Sequence, residues 1–174
     1  MSDQAVFCIA TERAKARRIL EKLRAGGFRE SAISVIMASK AEDGDIEIEG
    51  HTKAPEGAVT GAGTGLLAGG VLGWMAGIGS LAIPGLGPFI AAGPIMAALG
   101  GAAIGTAAGG VTGGLIGLGL SEFEAKKYEA HLKDGNTLIS VHTHSDDEVD
   151  RAKKIYKAEQ ADDVSVQNVV KVDD

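Results

Sequence analysis

Short apolar runs flank an amphipathic segment near the start of the chain. Residues 5–10 (AVFCIA) and 32–38 (AISVIMA) are continuous apolar runs of strand length, which is typical of buried β-strands. Between them, residues 12–24 carry apolar side chains at helical spacing, and Thr11 stands where an N-cap is expected. The pattern predicts a first βαβ half over residues 1–40.

The carboxy-terminal part repeats this order of elements. Residues 137–143 (TLISVHT) predict a strand, Ser145 and Glu148 have the spacing of a helix capping box, and a last strand is expected near 163–170. The pattern predicts a second βαβ half over 137–174. Two such halves predict an α+β, ferredoxin-like sheet with both helices on one face, and two unrelated α/β fragments are the alternative.

Glycine recurs at an interval of four in two series in the middle of the chain. Such an interval places the positions on one ridge of an α-helix, where the missing side chain lets another backbone approach closely. We therefore assign these positions, called the glycine ladder below, to an oligomerisation surface. The ladder comprises Gly57, Gly61, Gly65, Gly69, Gly73, Gly77, Gly93, Ala97, Gly101, Gly105, Gly109, Gly113 and Gly117.

Three prolines separate the two series of the ladder. Pro84, Pro88 and Pro94 are disfavoured inside a helix, because proline lacks the backbone N–H and clashes with the preceding turn. The sequence therefore predicts a glycine-zipper helical hairpin over 57–120 whose turn spans 83–94.

The predicted arms of this hairpin are long enough to cross a lipid bilayer. Residues 58–83 and 95–120 would each reach ~39 Å as helices, against ~30 Å for a hydrocarbon core. A polar tether is predicted over 41–56, before the first arm. A charged helix is predicted over 121–136, as a continuation of the second arm.

Charge is confined to the two ends of the sequence. The 174 residues include 17 Lys+Arg and 23 Asp+Glu, for a net charge of −6, yet residues 57–121 contain no Asp, Glu, Lys, Arg or His. The acidic total argues against nonspecific nucleic-acid binding, so we expect no nucleic-acid partner. Cys8 is the single cysteine, which excludes an intramolecular disulfide, and the amino-terminal residues do not have the pattern of a secretory signal.

The glycine-rich arms need an environment that compensates for their low helix propensity. Each glycine in a helix costs ~1 kcal/mol relative to alanine. A bilayer supplies the compensation because unsatisfied amides are expensive in hydrocarbon, and a soluble particle or shell with buried hairpins is the alternative. In the membrane case, the basic residues that flank the arms (Lys53, Lys126 and Lys127) place both termini in the cytoplasm, at the inner membrane.

Two histidines are the candidates for metal binding. His142 and His144 stand two residues apart on a predicted strand, so both would point to the same face. A ferredoxin-like module that senses a metal or small ligand through them is a further alternative. The sequence has no HExxH motif and no paired cysteines, so we expect no metal, no cofactor and no catalytic activity.

The middle of the sequence resembles a known bacterial group. Residues 54–145 contain the strings IPGLGP and AAGP and the run E-x-x-x-Y-E-x-x-L-K-x-G. They are similar to the middle of proteins described as general-stress, heat-induced or low-temperature-induced, in which a glycine zipper interrupts a small α/β domain. The resemblance implies stress-linked expression and self-association, and it supplies no reaction or site residue. We expect a noncatalytic stress-associated protein that forms a membrane-associated homo-oligomer through glycine-zipper helices.

Overall fold

A computed structural model describes residues 4–38, 79–83, 87–95 and 110–169, and the statements below refer to these residues. They form a mixed α+β structure with an antiparallel sheet. A short 3₁₀ turn, Glu30–Ala32, precedes the second strand. In chain order the elements are β1 (Gln4–Ala10), α1 (Arg13–Ala25), β2 (Ile33–Ala38), β3 (Gly79–Ile83), β4 (Gly87–Ala92), α2 (Val111–Gly117), α3 (Glu122–Lys133), β5 (Thr137–Thr143), α4 (Asp146–Ala158) and β6 (Asp162–Asn168).

The six strands form one sheet in the order β3-β4-β2-β5-β1-β6, and every neighbouring pair is antiparallel. The register places Phe7 of β1 opposite Ser140 of β5 on one side and Ser165 of β6 on the other. Ser34 of β2 lies opposite Ser140. β1 and β5 are therefore neighbouring interior strands, and all their residues are buried except Gln4 and His142, which are partly buried.

Helices cover both faces of this sheet. Side chains alternate between the faces along a strand, so those of Phe7 and Cys8 lie on opposite sides. The Phe7 ring stacks on Tyr128 of α3 with 5.7 Å between centroids, whereas the Cys8 side chain hydrogen-bonds the Tyr156 side chain of α4. α3 therefore lies on one face and α4 on the other.

α1 shares its face with α4, as the sequence predicts for the helices of the two βαβ halves. Arg18 of α1 forms an ion pair with Glu159 just after α4, with Nε and Oε2 3.1 Å apart. At the other end of the pair, the Arg151 guanidinium donates to the Gly26 carbonyl oxygen at 3.1 Å. The two helices therefore run antiparallel over the sheet.

The face under α3 contains an apolar core to which the uncharged middle of the chain contributes. Ala91 and Ile95, at and after the end of β4, are fully buried, as are Val111 and Leu115 of α2. Burial of these apolar side chains removes them from water and stabilises the fold. The core cluster comprises Ala5, Phe7, Ile9, Ile36, Ala91, Ile95, Val111, Leu115, Leu118, Leu120, Ala125, Tyr128, Leu132, Leu138 and Val169.

The predicted elements of both βαβ halves are confirmed, apart from the N-cap of α1. Glu12 rather than Thr11 is the N-cap residue, and no side chain caps this helix. The predicted cap of α4 is confirmed, because the Ser145 hydroxyl accepts a hydrogen bond from the Glu148 backbone N–H.

The predicted helical hairpin is wrong at its turn and at the end of its first arm. Residues 79–83 form β3 and residues 87–92 form β4, and the two pair with each other in the sheet. Pro88, which a helix interior excludes, is accommodated in β4. β4 also pairs with β2, so this segment completes the sheet instead of turning between helices.

The second arm, predicted as one continuous helix over 95–120, is also wrong. Gly110 has φ 98° and ψ −160°, which is not helical, and α2 starts only after it. α2 ends at Gly117, and the Ser121 hydroxyl caps α3 as a separate helix. The charged helix over 121–136 is therefore present at Glu122–Lys133 but does not continue the preceding helix. The parts of the predicted hairpin at 57–78, 84–86 and 96–109, and the tether at 41–56, lie outside the described residues.

Within the described ranges, no helix is both long enough and apolar enough to cross a membrane.

Gly93 allows the chain to cross closely over β2 on leaving β4. Its φ is +84°, and a Cβ there would stand 2.8 Å from the Cα of Ser34 and closer still to the carbonyl oxygen of Ile33. Two residues later the Ile95 backbone N–H donates to the Ser34 hydroxyl at 3.1 Å. Only glycine fits this crossing, since it tolerates a positive φ and has no Cβ.

Replacing Gly93 with alanine should destabilise the full-length protein by about 2 kcal/mol or more, because strain at positive φ adds to the backbone clash. The matched control is Gly117→Ala, since a Cβ at Gly117 has no atom within 4 Å. The control should be neutral or stabilising by up to about 1 kcal/mol, because alanine is the better helix former. Urea unfolding of the two variants measures the difference, and equal unfolding free energies would contradict the described crossing.

Candidate functional site

The densest group of polar side chains joins α3 to β6. On α3 the spacing of three and four residues places four of them along one side of the helix. On β6 three alternate residues point to one face of the strand. We call this group the polar seam, and its members are Glu124, Lys127, Tyr128, His131, Asp163, Ser165 and Gln167.

Asp163 is the centre of one end of the polar seam. His131 Nε2 lies 2.6 Å from Asp163 Oδ2, and Lys127 Nζ lies 2.6 Å from Oδ1. Asn136 Nδ2 stands 3.4 Å from His131 Nδ1, which fits a tautomer that accepts at Nδ1 and donates from Nε2 to the carboxylate. The hydrogen bond from Lys127, helped by His131, holds the pKa of Asp163 below its ordinary value.

Asp163 also has an unusual backbone. Its φ is 49°, and Gln160 nearby has φ 53°. A left-handed conformation is uncommon in residues other than glycine, although Asp and Asn tolerate it better than most. The two ion pairs therefore hold β6 at a place where its backbone is strained.

The other end of the polar seam is a chain of neutral groups that ends on a carboxylate. The Tyr128 and Ser165 hydroxyl oxygens are 2.6 Å apart. Gln167 Nε2 donates to Ser165 Oγ at 3.3 Å and also to the Glu124 carboxylate. Burial raises the pKa of Tyr128 to about 12, so its hydroxyl stays protonated at neutral pH.

The geometry of the polar seam suits it to holding β6 against α3. The His131–Asp163 pair resembles the base and orienting group of a catalytic triad. The second ring nitrogen of His131, Nδ1, however faces Asn136 rather than a hydroxyl or thiol. Its ion pairs, the Tyr128–Ser165 hydrogen bond and the Gln167–Glu124 hydrogen bond all join the helix to the strand. This arrangement positions β6 and makes the stability of its packing against α3 depend on pH.

The structure separates the histidines that the sequence pairs. His142 lies on β5 opposite Ala5. His144 lies one residue beyond the end of β5, so strand alternation does not place it on the same face, and its backbone N–H donates to Glu148 Oε2 at 2.7 Å. His131 belongs to the polar seam. In the part of the chain that the structure describes, no three His, Cys, Asp or Glu side chains are grouped as metal ligands.

Cys8 lies in the core beneath α4. It is fully buried on β1, and burial is the main cause that raises the pKa of its thiol. A protonated, inaccessible thiol is a poor nucleophile and a poor metal ligand. Cys8 therefore acts as a small core residue, in agreement with its place in an apolar strand.

Three glycine-ladder positions lie in the described residues, and they have different roles. Gly93 lies between β4 and the following helical residues, so the predicted helical ridge does not include it. Gly113 is buried within α2, and Gly117, the last residue of that helix, is exposed. The other ladder positions, which lie outside the described residues, are Gly57, Gly61, Gly65, Gly69, Gly73, Gly77, Ala97, Gly101, Gly105 and Gly109.

Sequence reasoning missed the polar seam. One polar side of the helix could be predicted from the helical spacing of Glu124, Lys127, Tyr128 and His131. The packing of that side against β6 could not be predicted, because it depends on contacts between segments about thirty residues or more apart in the sequence.

Comparisons with known proteins leave the function to be argued from the residues. No protein-family model matches the chain. No curated protein and no solved structure matches it either.

The Asp163→Asn substitution should destabilise the protein by about 1 kcal/mol at neutral pH, since two half-exposed ion pairs are lost. Asparagine tolerates the left-handed backbone, so the change isolates the charge. Because the folded-state pKa is lowered, the contribution is present above the unfolded-state pKa near 4 and is lost as pH falls through the folded-state value. The two proteins should therefore converge in stability at acid pH, once the Asp163 carboxyl is protonated in the folded state as well.

Urea unfolding at several pH values measures this effect. The matched control is Asp150→Asn on the exposed surface of α4, which should change stability little at any pH. An Asp163→Asn variant that matches this control at neutral pH would show that the seam does not hold β6.

Proposed function

We propose that this chain is a noncatalytic, stress-associated bacterial protein that self-associates into a homo-oligomer through its glycine ladder. The stress association is supported by the resemblance of residues 54–145 to general-stress proteins.

The carrying observation is that the glycine ladder continues, in the sequence, through two uncharged stretches outside the described residues. Among the described residues, burial on the sheet accounts for the absence of charge over 90–95 and 110–120, since these residues supply part of β4, α2 and part of one core. Over 57–77 and 96–109, glycine or alanine keeps the interval of four. A regular glycine ridge supports close contact between helices.

Energetics support an association that is extensive. Nine ladder glycines lie in 57–77 and 96–109, and each costs ~1 kcal/mol in a helix relative to alanine, which is on the order of 9 kcal/mol together. Packing of backbones from several copies would compensate for this cost.

We also propose that the domain is ferredoxin-like at its centre. The support is the antiparallel order β2-β5-β1-β6, in which α1 connects the first two strands in the sequence and α4 the last two. α1 and α4 lie side by side on one face. In this proposal, β3 and β4 extend the sheet beside β2, and α2 and α3 cover the second face.

A lipid membrane is the proposed environment of the ladder. The support is the absence of charge over 57–77 and 96–109, since lipid disfavours charge and favours internally bonded backbone. The proposal places the α+β domain on the cytoplasmic side, next to the basic residues that flank the uncharged stretch.

The first test is a double substitution in the ladder. Gly69→Leu with Gly109→Leu should break the oligomer, because leucine side chains keep the helices apart. Sedimentation of the full-length protein should show a fall to the monomer mass. The matched control is Gly70→Leu with Gly100→Leu, which adds the same bulk one position away from the ladder and should leave the mass unchanged. An unchanged mass for the ladder variant would overturn the proposed self-association.

The second test is the partition of the protein after cell lysis. Membrane association predicts that the protein sediments with the membrane fraction and that detergent, but not high salt, releases it. A defined particle that stays in the supernatant without detergent would contradict the membrane proposal and favour a soluble shell with buried ladder segments.

A further inference from the structure

The two edges of the sheet differ in how well they are protected against pairing with another strand. An edge strand exposes a row of unpaired backbone N–H and C=O groups, and natural proteins blunt it with charge, bulges or covering elements. β6 forms one edge and β3 forms the other.

β6 carries several of these protective features. It begins with two aspartates, Asp162 and Asp163, and Asp163 has a left-handed backbone. Its pairing with β1 is irregular between Phe7 and Ile9. The polar seam fixes its side chains to α3. Another strand would meet charge and an irregular backbone there.

β3 lacks the charge and the irregular pairing of β6. Its five residues, Gly79-Ser80-Leu81-Ala82-Ile83, include no charged residue and no proline. The nearest charged residues in the sequence are Glu56 and Glu122. β3 pairs with β4 without a break in register over its whole length, and among the described residues β4 is its only partner strand. This edge is regular and uncharged, which suits it to accept another strand.

We propose that β3 pairs antiparallel with β3 of a second copy of this chain, so that the two sheets become one sheet of twelve strands across a twofold axis. A second copy is the fitting occupant because an antiparallel edge is complementary to itself, and because two uncharged edges meet without repulsion. All five residues pair only if the axis passes through Leu81. Leu81 then faces its own counterpart, and Ser80 faces Ala82 of the other copy.

This inference deepens the proposed self-association, on which it rests, by naming a second contact surface on the folded domain. The ladder brings copies together, and the β3 edge sets how two domains meet.

Disulfide cross-linking tests the register directly. Residues that face each other in an antiparallel pair have Cα atoms ~4.5–5.5 Å apart, within the range a disulfide requires. Under mild oxidation, Leu81→Cys in the otherwise unchanged full-length protein should form disulfide dimers in most of the chains. The unsubstituted protein, whose one cysteine is the buried Cys8, should form none. Val164→Cys on β6 is the matched control for the other edge and should form few.

Charge substitutions provide a second test that does not depend on oxidation. Ser80→Lys with Ala82→Lys places like charges opposite each other in the proposed register, whereas Ser80→Glu with Ala82→Lys places opposite charges there. In the Leu81→Cys background, the first pair should lower the dimer yield at least tenfold and the second should restore it. Equal yields for the two pairs would overturn the register.

The results separate this inference from the proposed function. A protein that sediments as an oligomer but gives no Leu81→Cys dimers overturns β3 pairing and leaves the ladder proposal intact. Leu81→Cys dimers in a protein whose mass does not respond to Gly69→Leu with Gly109→Leu support β3 pairing and overturn the ladder proposal. A monomer without cross-links overturns both.

Discussion

The need to cover β1 and β5 on both faces governs this structure. Both strands are buried on both faces and carry mostly apolar side chains, so each face of the sheet must pack against other elements. α1 and α4 cover one face, and α1 directly follows β1 in the sequence as α4 follows β5. The second face takes α3 together with residues of the uncharged middle, such as Ile95 and Leu115. Part of the glycine-rich stretch is therefore as much a component of the domain as the strands themselves.

The contacts on this second face also explain why the chain tolerates unfavourable backbone. Gly93 sits directly against β2, and this close crossing brings Ile95 into the core. At the β6 edge of the sheet, Asp163 keeps a left-handed conformation while Lys127 and His131 bind its carboxylate. Strain of this kind persists where surrounding contacts overdetermine the local geometry. The polar seam and the Gly93 crossing hold the two sides of the sheet against the same layer of helices.

The sequence predicted those elements whose signals are local. Residues 5–10 form a strand because each is apolar and the run is short, and Ser145 caps α4 through a hydrogen bond within one turn. β3 was mispredicted because the glycine interval favoured a helix, and β4 because the prolines in and beside it favoured a turn. The decisive interactions are nonlocal pairings such as Val35 with Ala92. The left-handed Asp163, and with it the polar seam, depends on tertiary contacts that no local pattern encodes.

The insertion point between β2 and β3 gives the chain a place where its length is free to vary. β4 lies between β2 and β3 in the sheet, and the register puts the Cα atoms of Ala38 and Gly79 about 12 Å apart. A change in the number of residues between these anchors leaves the register of the sheet unaltered, because β2 and β3 are each fixed by their own pairing with β4.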